Sequence, residues 1–390
     1  MSIAIPFGSP LYVMLKPIGS RCNLACRYCY YLDKAQLYPN QEPLSEELLE
    51  IFIQQYLEAQ TMPQVLFTWH GGEPLLRPLS FYQRALALQQ RYARGRQIDN
   101  CIQTNGTLLT DEWCEFLREN RFLVGISIDG PQTYHDAYRC QSFEKVMRGI
   151  QLLQQHHVEW NAMATVNHLN ADHPVEFYRF FKDIGCQYLQ FTPVVERDSR
   201  EQITDTSVTP EQWGRFLCGV YDEWKQKDIG RIFVQLFDAT LANWVGEPPG
   251  ICSMSPYCGR AAAMEANGDV YSCDHFVFPE YRLGNIRQQS LTTMLYGERQ
   301  QQFGRNKSAT LPRQCRECRF RFACHGECPK NRFTKDKYGE PGLNYLCAGY
   351  QQFFAHVAAD MDFMKAELDA GRSPANLMYI LSLSALQHRR

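Results

Sequence analysis

Cys22, Cys26 and Cys29 lie in the stretch CNLACRYC, at spacings of four and three. Disulfides take thiols in pairs, and closed zinc or iron–sulfur sites take four ligands. Three thiolates on one short loop therefore make a metal site with one position left open. Soft thiolates suit a cube of four irons, which needs four ligands. With three supplied by the loop, one iron can bind a substrate or cofactor directly, as catalytic zinc keeps a position for water. An iron held in this way can pass an electron into whatever coordinates it. A three-thiol zinc site is the alternative reading.

The 390 residues carry 16 cysteines, and eight of the others gather toward the back: Cys252, Cys258, Cys273, Cys315, Cys318, Cys324, Cys328 and Cys347. Eight thiolates make two complete sets of four, which points to structural or electron-transfer clusters. CRECRFRFAC alone would also suit zinc. Cys101, Cys114, Cys140, Cys186 and Cys218 stand among apolar neighbours and read as small buried hydrophobes. The opening MSIAIPFGSPLYVMLKPIGS lacks a basic start followed by a long apolar run, so it does not read as a signal peptide. No stretch approaches the roughly 18 apolar residues that span a bilayer. The chain reads as cytoplasmic, and that compartment is too reducing for disulfides. With 40 basic and 42 acidic side chains, the formal charge of −2 gives no general attraction to nucleic acid or to a membrane surface.

The elements that position these thiols alternate. Strand-like runs cover 11–18, 64–70, 97–105, 122–129, 161–167 and 188–195. Helical patterns follow near 45–59, 80–93, 111–119, 142–156, 174–184 and 209–226. Ser45, Thr110 and Thr209 stand at capping positions, with Pro210 at a first helical position. The alternation predicts an α/β fold with parallel strands and right-handed crossovers. Six units predict a partial (β/α)6 TIM-like barrel, with chemistry at the C-terminal strand ends. CNLACRYC, HGGEP, TNG and SIDG follow the first four strands in turn. The alternation stops near 227, and residues 348–368 read as a closing amphipathic helix. The expected division is a barrel over 1–235 and a cysteine-rich domain over 236–390.

CxxxCxxC with an aromatic residue, Tyr28, before its last cysteine resembles the signature of the radical S-adenosylmethionine (SAM) enzymes. The resemblance implies that the methionyl amine and carboxylate of S-adenosylmethionine chelate the open iron of a 4Fe-4S cluster. One electron then releases a 5′-deoxyadenosyl radical. It assigns Gly71, Gly72 and Glu73 of GGEP to the methionyl amine. Ser127 of SIDG and Arg139 of HDAYR would hold the ribose and carboxylate ends, with Tyr28 and Leu189 beside the adenine. The back series, Cys258–x9–Gly268–x4–Cys273 and then C-x2-C-x5-C-x3-C, resembles the SPASM extension. That implies a C-terminal SPASM domain with two more 4Fe-4S clusters, three in all. In the family's partition one takes Cys252, Cys258, Cys273 and Cys328. The other takes Cys315, Cys318, Cys324 and Cys347. Spacing alone leaves that partition open.

Two closed clusters suggest that an electron leaves the substrate in a net two-electron oxidation, which also needs a base. Asp274, directly after Cys273, is the candidate catalytic base. A cluster's negative charge is expected to raise its proton affinity. An Asp capping the turn after a hairpin is the plainer reading. Over residues 10 to 347 the chain resembles the anaerobic sulfatase-maturating enzymes. The resemblance lies in PLYVMLKPIGSRCNLACRYCYYLDK, FTWHGGEPLL, IQTNGTLL, GISIDGPQTYHDAYR, LQFTPVVER, NGDVYSCDHFVFPEY and the final cysteines. It implies that a cysteine or serine in an unfolded or nascent sulfatase becomes Cα-formylglycine, with Asp274 taking the thiol or hydroxyl proton. It turns His70, Thr104, Asn105 and Tyr31 toward the polypeptide; His70 stands where some relatives carry Gln. An electron donor such as flavodoxin or ferredoxin is also implied.

Two other readings stand beside this one. One is a SPASM peptide maturase making thioether or carbon crosslinks in a ribosomal peptide. Many of those add an N-terminal peptide-binding domain, for which a first cysteine at 22 leaves no room. The other is a non-enzymatic iron–sulfur or zinc protein. Finally, Arg305, Lys307, Arg313, Arg316, Arg319 and Arg321 flank the distal cysteines. They read as a solvated face or as a dock for an acidic electron carrier.

Overall fold

The computed structural model describes residue 5 and residues 9–32, 34–39 and 42–387, with side chains to residue 383. Asp33 of the cysteine-loop motif and residues 1–4 and 6–8 of the opening stretch lie outside them. The chain divides into two compact units. One comprises Met1–Ser127, Asp136–Trp160 and Tyr257–Ala309; the other comprises Ile128–His135, Asn161–Pro256 and Thr310–Arg390.

In the first unit, strands β1 (Tyr12–Leu15), β2 (Gln64–Trp69), β3 (Gln97–Thr104) and β4 (Phe122–Ser127) run parallel, side by side in chain order. The helices Glu46–Ala59, Leu79–Tyr92 and Asp111–Glu119 make the crossovers. The Ser45 hydroxyl accepts from the Leu48 N–H at 3.2 Å, and that of Thr110 from the Trp113 N–H at 3.3 Å, so both expected caps form. Val65, Phe67 and Trp69 alternate inward along β2. Tyr56 meets Phe67, and Tyr82 meets Trp69, edge to face at centroid distances of 5.0 and 5.3 Å. This aromatic core fixes β2, whose end carries the HGGEP turn.

In the second unit, β5 (Trp160–Val166, from Asn161 on), β6 (Tyr188–Pro193) and β7 (Phe233–Val234) run parallel. The helix Pro210–Lys227 opens on a full capping box: Gln212 N–H donates to the Thr209 hydroxyl at 3.2 Å, and Thr209 N–H to Gln212 Oε1 at 3.1 Å. The closing helix is Cys347–Asp369, with Phe353, Val357, Met361 and Met364 buried along one side. A helix over Gln235–Val245, where no pattern was expected, ends at Gly246 in the left-handed region. Among the described residues, no helix is long and apolar enough to cross a membrane.

Residues 257–309 return to the first unit. Strand β8 (Ala261–Met264) pairs parallel with β1 along its whole length, and β9 (Asp269–Tyr271) and β10 (Arg282–Asn285) add antiparallel beyond it. AAAM has little strand propensity, and this pairing is imposed by tertiary packing. It was not legible as a strand. Its effect is to bring Cys258 and Cys273, which bracket the hairpin, and Asp274 alongside β1. Of the five cysteines read as buried, Cys114, Cys186 and Cys218 are, and Cys101 is half-buried. Cys140 is exposed: it sits beside Arg139 at positive φ (55°) in the turn after the helix Gln132–Tyr138.

Candidate active site

From β1 the chain turns through Gly19, Ser20 and Arg21 into the cysteine loop, and the turn after β2 packs directly on it. Gly72 N–H donates to the Gly19 carbonyl at 2.8 Å, and Glu73 N–H to that of Arg21 at 2.9 Å. A Cβ on Gly72 would fall 1.9 Å from the Arg21 carbonyl oxygen, and Gly71 has φ of +131°. Both positions therefore demand glycine. Glu73 is fully buried. Its carboxylate accepts from the Thr104 hydroxyl at 2.7 Å, the Leu75 N–H at 2.9 Å and the Asn105 N–H at 2.8 Å. Burial outweighs these donors and pushes the carboxyl up to about 7. A cation placed beside it would restore its charge.

The third strand end holds the loop from another side. The Asn105 amide donates to Asn23 Oδ1 at 2.8 Å and reaches Cys22 Sγ at 3.8 Å. Leu24 N–H donates to the same sulfur at 3.4 Å, and Ala25 N–H to Cys140 Sγ at 3.3 Å. Cys29 N–H closes back on the Cys26 carbonyl at 3.0 Å. Burial pushes the Cys22 thiol up. A bound iron would offset that cost, and the N–H donors favour the thiolate it needs. The loop thus fits a cluster held by Cys22, Cys26 and Cys29. Thr104 and Asn105, expected to face the polypeptide, are buried and engaged in holding Glu73 and the loop. Cys140 was missed as a support for the loop.

Lys16, directly after β1, is fully buried and ion-paired with Asp274. Its ammonium also lies 4.0 Å from the Tyr31 ring centroid. The other carboxylate oxygen of Asp274 accepts from the Tyr30 hydroxyl, and the Tyr31 hydroxyl donates to Glu265. Burial alone would raise the Asp274 carboxyl. Lys16, His70 and His275 outweigh it and hold the carboxyl well below the ordinary range. The strongest of these is a lysine that no spacing in the chain connects to Asp274. Burial and then Lys16 push His70 down to about 4, so the ring is neutral. Its Nδ1 accepts from the Gly71 N–H at 2.8 Å, which leaves the proton on Nε2 as a donor. Burial pushes the Tyr30 and Tyr31 hydroxyls well up, and the neighbouring carboxylates push the same way. Lys16, Tyr30 and Glu265 were not singled out from the sequence. A lysine inside an apolar strand run was the one available signal.

Other expected residues fall as follows. The Arg139 guanidinium lies 5.6 Å from the Tyr28 ring, which meets Tyr138 edge to face at 6.1 Å. Ser127 ends β4, and its hydroxyl accepts from Gln103 at 2.9 Å. Leu189 is a buried core residue of β6 in the second unit. Cys258 and Cys273 belong to the first unit, Cys252 and Cys328 to the second. Cys315, Cys318, Cys324 and Cys347 line one cavity in the second unit. Gln314 and Gln351 aim N–H groups at the Cys347 and Cys318 sulfurs from 3.9 and 4.0 Å. Burial pushes the Cys347 thiol up to about 12 and raises that of Cys324 as well. Among the described residues, no three His, Cys, Asp or Glu side chains converge tightly enough to hold a single ion. A cube asks for a wider cage, because each thiolate binds its own iron. The four-thiol cavity, walled by Phe320, Tyr350 and Phe354, is such a cage.

The family model described as the radical SAM superfamily matches residues 17–181, and that described as the SPASM iron–sulfur cluster-binding domain matches residues 255–319. The chain is a radical SAM enzyme: an α/β partial barrel followed by a SPASM domain. It is 60% identical to the serine-type anaerobic sulfatase-maturating enzyme of Bacteroides thetaiotaomicron over 98% of each chain. It is 31% identical to the cysteine-type enzyme of Clostridium perfringens, over 89% of this chain and 96% of that one. The solved structure of native anSMEcpe with bound AdoMet and Cp18Cys peptide matches with a TM-score of 0.83 at 29% identity, covering 92% of this chain and 100% of that one. The chain belongs to the anaerobic sulfatase-maturating enzymes, which form formylglycine in sulfatases by radical SAM chemistry. The readings as a crosslinking maturase and as a non-enzymatic protein fall with that membership.

Proposed function

We propose that this enzyme oxidises a serine of an unfolded or nascent sulfatase to Cα-formylglycine, with cysteine as the lesser target. The identity of 60% to a serine-type enzyme against 31% to a cysteine-type one favours serine. The observation that carries the chemical reading is Tyr30. It directly follows Cys29 and bonds Asp274, so one residue joins the thiol loop to the buried acid.

We assign Cys22, Cys26 and Cys29 to a 4Fe-4S cluster that would serve S-adenosylmethionine. When bound, this pair would supply a 5′-deoxyadenosyl radical able to take one hydrogen atom from the target Cβ. Glu73, with the Gly71–Gly72 turn, would hold the methionyl ammonium. Arg139 and Ser127 would hold the carboxylate and ribose, and Tyr28 would lie beside the adenine. Asp274 accepts the serine hydroxyl proton. Lys16 keeps it ionised and fixed, so it is a weak base toward an ordinary hydroxyl. It becomes adequate once the Cβ hydrogen has left and the hydroxyl is more acidic. His70 offers its Nε2–H to the peptide, and Tyr31 lines the same end. Thr104 and Asn105 act there through the loop they hold. The four-thiol cavity would hold one closed cluster and the remaining back cysteines would serve another, making three with the front one. These closed clusters would take up the one electron left on the substrate after the Cβ hydrogen atom and the hydroxyl proton have gone. A flavodoxin- or ferredoxin-type donor supplies the electron. We infer cytoplasmic residence with no nucleic-acid or membrane partner, and a boundary between barrel and SPASM domain near residue 235.

Anaerobic incubation with S-adenosylmethionine, reductant and a matched pair of Ser- and Cys-type sulfatase peptides tests this by mass. The serine peptide should lose one H2 and carry a new aldehyde faster than the cysteine peptide reacts. Preference for the cysteine peptide overturns the serine assignment, and no conversion of either overturns the whole proposal.

A further inference from the structure

The basic run around the distal cysteines divides in the structure. Arg305 pairs with Glu298, and Lys307 is buried. Arg313 pairs with Glu317 at 2.7 Å, and Arg316 with Glu340 at 3.2 Å. Arg319 and Arg321 remain, joined by Lys337 from the chain beyond. All three are exposed, and among the described residues none of them is in an ion pair.

Arg319 and Lys337 line an opening within the second unit, and Arg321 lines the cavity behind it. A groove of about 600 Å3 is lined by Glu317, Cys318, Arg319, Phe320, Lys337 and Gln351 among others. Cys318 and Gln351 also line the inner four-thiol cavity, as does Arg321. The groove therefore leads from solvent to the cage sulfurs through shared walls. Two aromatic side chains near the run, Phe322 and Tyr338, are 43% and 45% exposed. Arg319, Arg321 and Lys337 outnumber the one carboxylate of the groove, Glu317, which Lys337 partly offsets and Arg313 pairs. Net positive charge beside exposed aromatic surface suits a partner of opposite sign that docks briefly, because such charges steer encounter more than they tighten the complex. A route that brings the partner against a thiolate of the cage is what electron exchange requires.

We propose that this groove docks a small acidic one-electron carrier protein against the Cys315–Cys318–Cys324–Cys347 cage. The proposal rests on the reading of that cage as an iron–sulfur cluster site. The carrier is oxidised by one electron when it charges the enzyme and reduced by one when it takes an electron back, so no further oxidant is involved. Arg319, Arg321 and Lys337 orient it.

The test uses the anaerobically reconstituted full-length enzyme and an acidic flavodoxin as the probe. Association is followed by flavin anisotropy, and carrier-driven turnover is compared with dithionite-driven turnover of the same preparation. Raising salt from about 0.05 M to about 0.5 M should weaken wild-type association at least tenfold. The double reversal Arg319→Glu with Lys337→Glu should weaken it at least tenfold at low salt, and lower the ratio of carrier-driven to dithionite-driven turnover by a similar factor. The charge-keeping pair Arg319→Lys with Lys337→Arg should retain wild-type association within threefold. This pair separates lost charge from lost folding. Unchanged association in the reversal variant overturns the docking assignment. So does a reversal that weakens binding of an unfolded sulfatase peptide and spares the flavodoxin. Absence of dithionite-driven turnover in the wild type overturns the iron–sulfur reading instead.

Discussion

Lys16→Met removes a charge from the centre of the site and keeps an unbranched side chain of similar volume. Lys16 is fully buried, and the Asp274 side chain is 8% exposed. Removing one member of a buried ion pair strands the other, at a cost of about 3–5 kcal/mol. At pH 8 the variant should lose that much stability, a fall of about 4–6 °C in thermal midpoint. The sign with pH follows from the depressed Asp274 carboxyl. In the wild type its stabilisation is present above the unfolded value near 4 and is lost as pH falls through the folded one. In the variant a proton can relieve the stranded charge. The deficit should therefore shrink as pH is lowered from 8 toward 5. Adding Asp274→Asn to the variant removes the stranded charge and should restore part of the stability, a non-additivity of at least about 1 kcal/mol. The assay is anaerobic thermal unfolding of the four proteins at pH 5, 6.5 and 8. A Lys16→Met protein within about 1 kcal/mol of wild type at pH 8 would refute the reasoning, as would a deficit that grows toward acid.

Further outcomes follow from other contacts. Gly72→Ala sets a methyl 1.9 Å from the Arg21 carbonyl oxygen and must push the cysteine loop aside. Turnover should fall about a hundredfold with the fold intact by circular dichroism, since misplacing reacting groups by an ångström costs that much. Glu73 is raised to about 7 from an ordinary 4.5, so folding favours its protonated form and stability falls as pH rises through that window. The loss amounts to roughly 3 kcal/mol. S-adenosylmethionine, which brings an ammonium, should therefore stabilise the reconstituted protein more at pH 8 than at pH 5.5 in a thermal shift. Asp274→Asn should abolish formylglycine, read by peptide mass, while iron content stays near wild type. Cys324→Ala should lower the iron count of the reconstituted protein by about four per chain and leave the other sites loaded.

Much of the barrel was legible because its signals are local. β2 reads as a strand because Val65, Phe67 and Trp69 alternate, and the helices after Ser45, Thr110 and Thr209 begin where a side-chain oxygen can cap them. The thiol loop was legible because ligand chemistry dictates spacing. What escaped is non-local. β8 exists because AAAM is held along β1, and the alanines carry no preference of their own. Lys16 reads as one residue of a strand run, yet its partner lies far along the chain and meets it through that same pairing. The counter-ion of Asp274 escaped for the same reason: a cluster's charge can be anticipated from neighbouring cysteines, whereas a buried lysine partner cannot. Thr104 and Asn105 sit at a strand end, as ligand-facing residues do, but their bonds run inward to Glu73 and the loop.

The most direct measurement follows one atom. The reconstituted enzyme is reduced anaerobically with S-adenosylmethionine and a sulfatase peptide whose target serine is deuterated at Cβ. Deuterium should appear in 5′-deoxyadenosine, in step with formylglycine, and Cys22→Ala should abolish both. Formylglycine that forms while 5′-deoxyadenosine carries no deuterium would contradict the account.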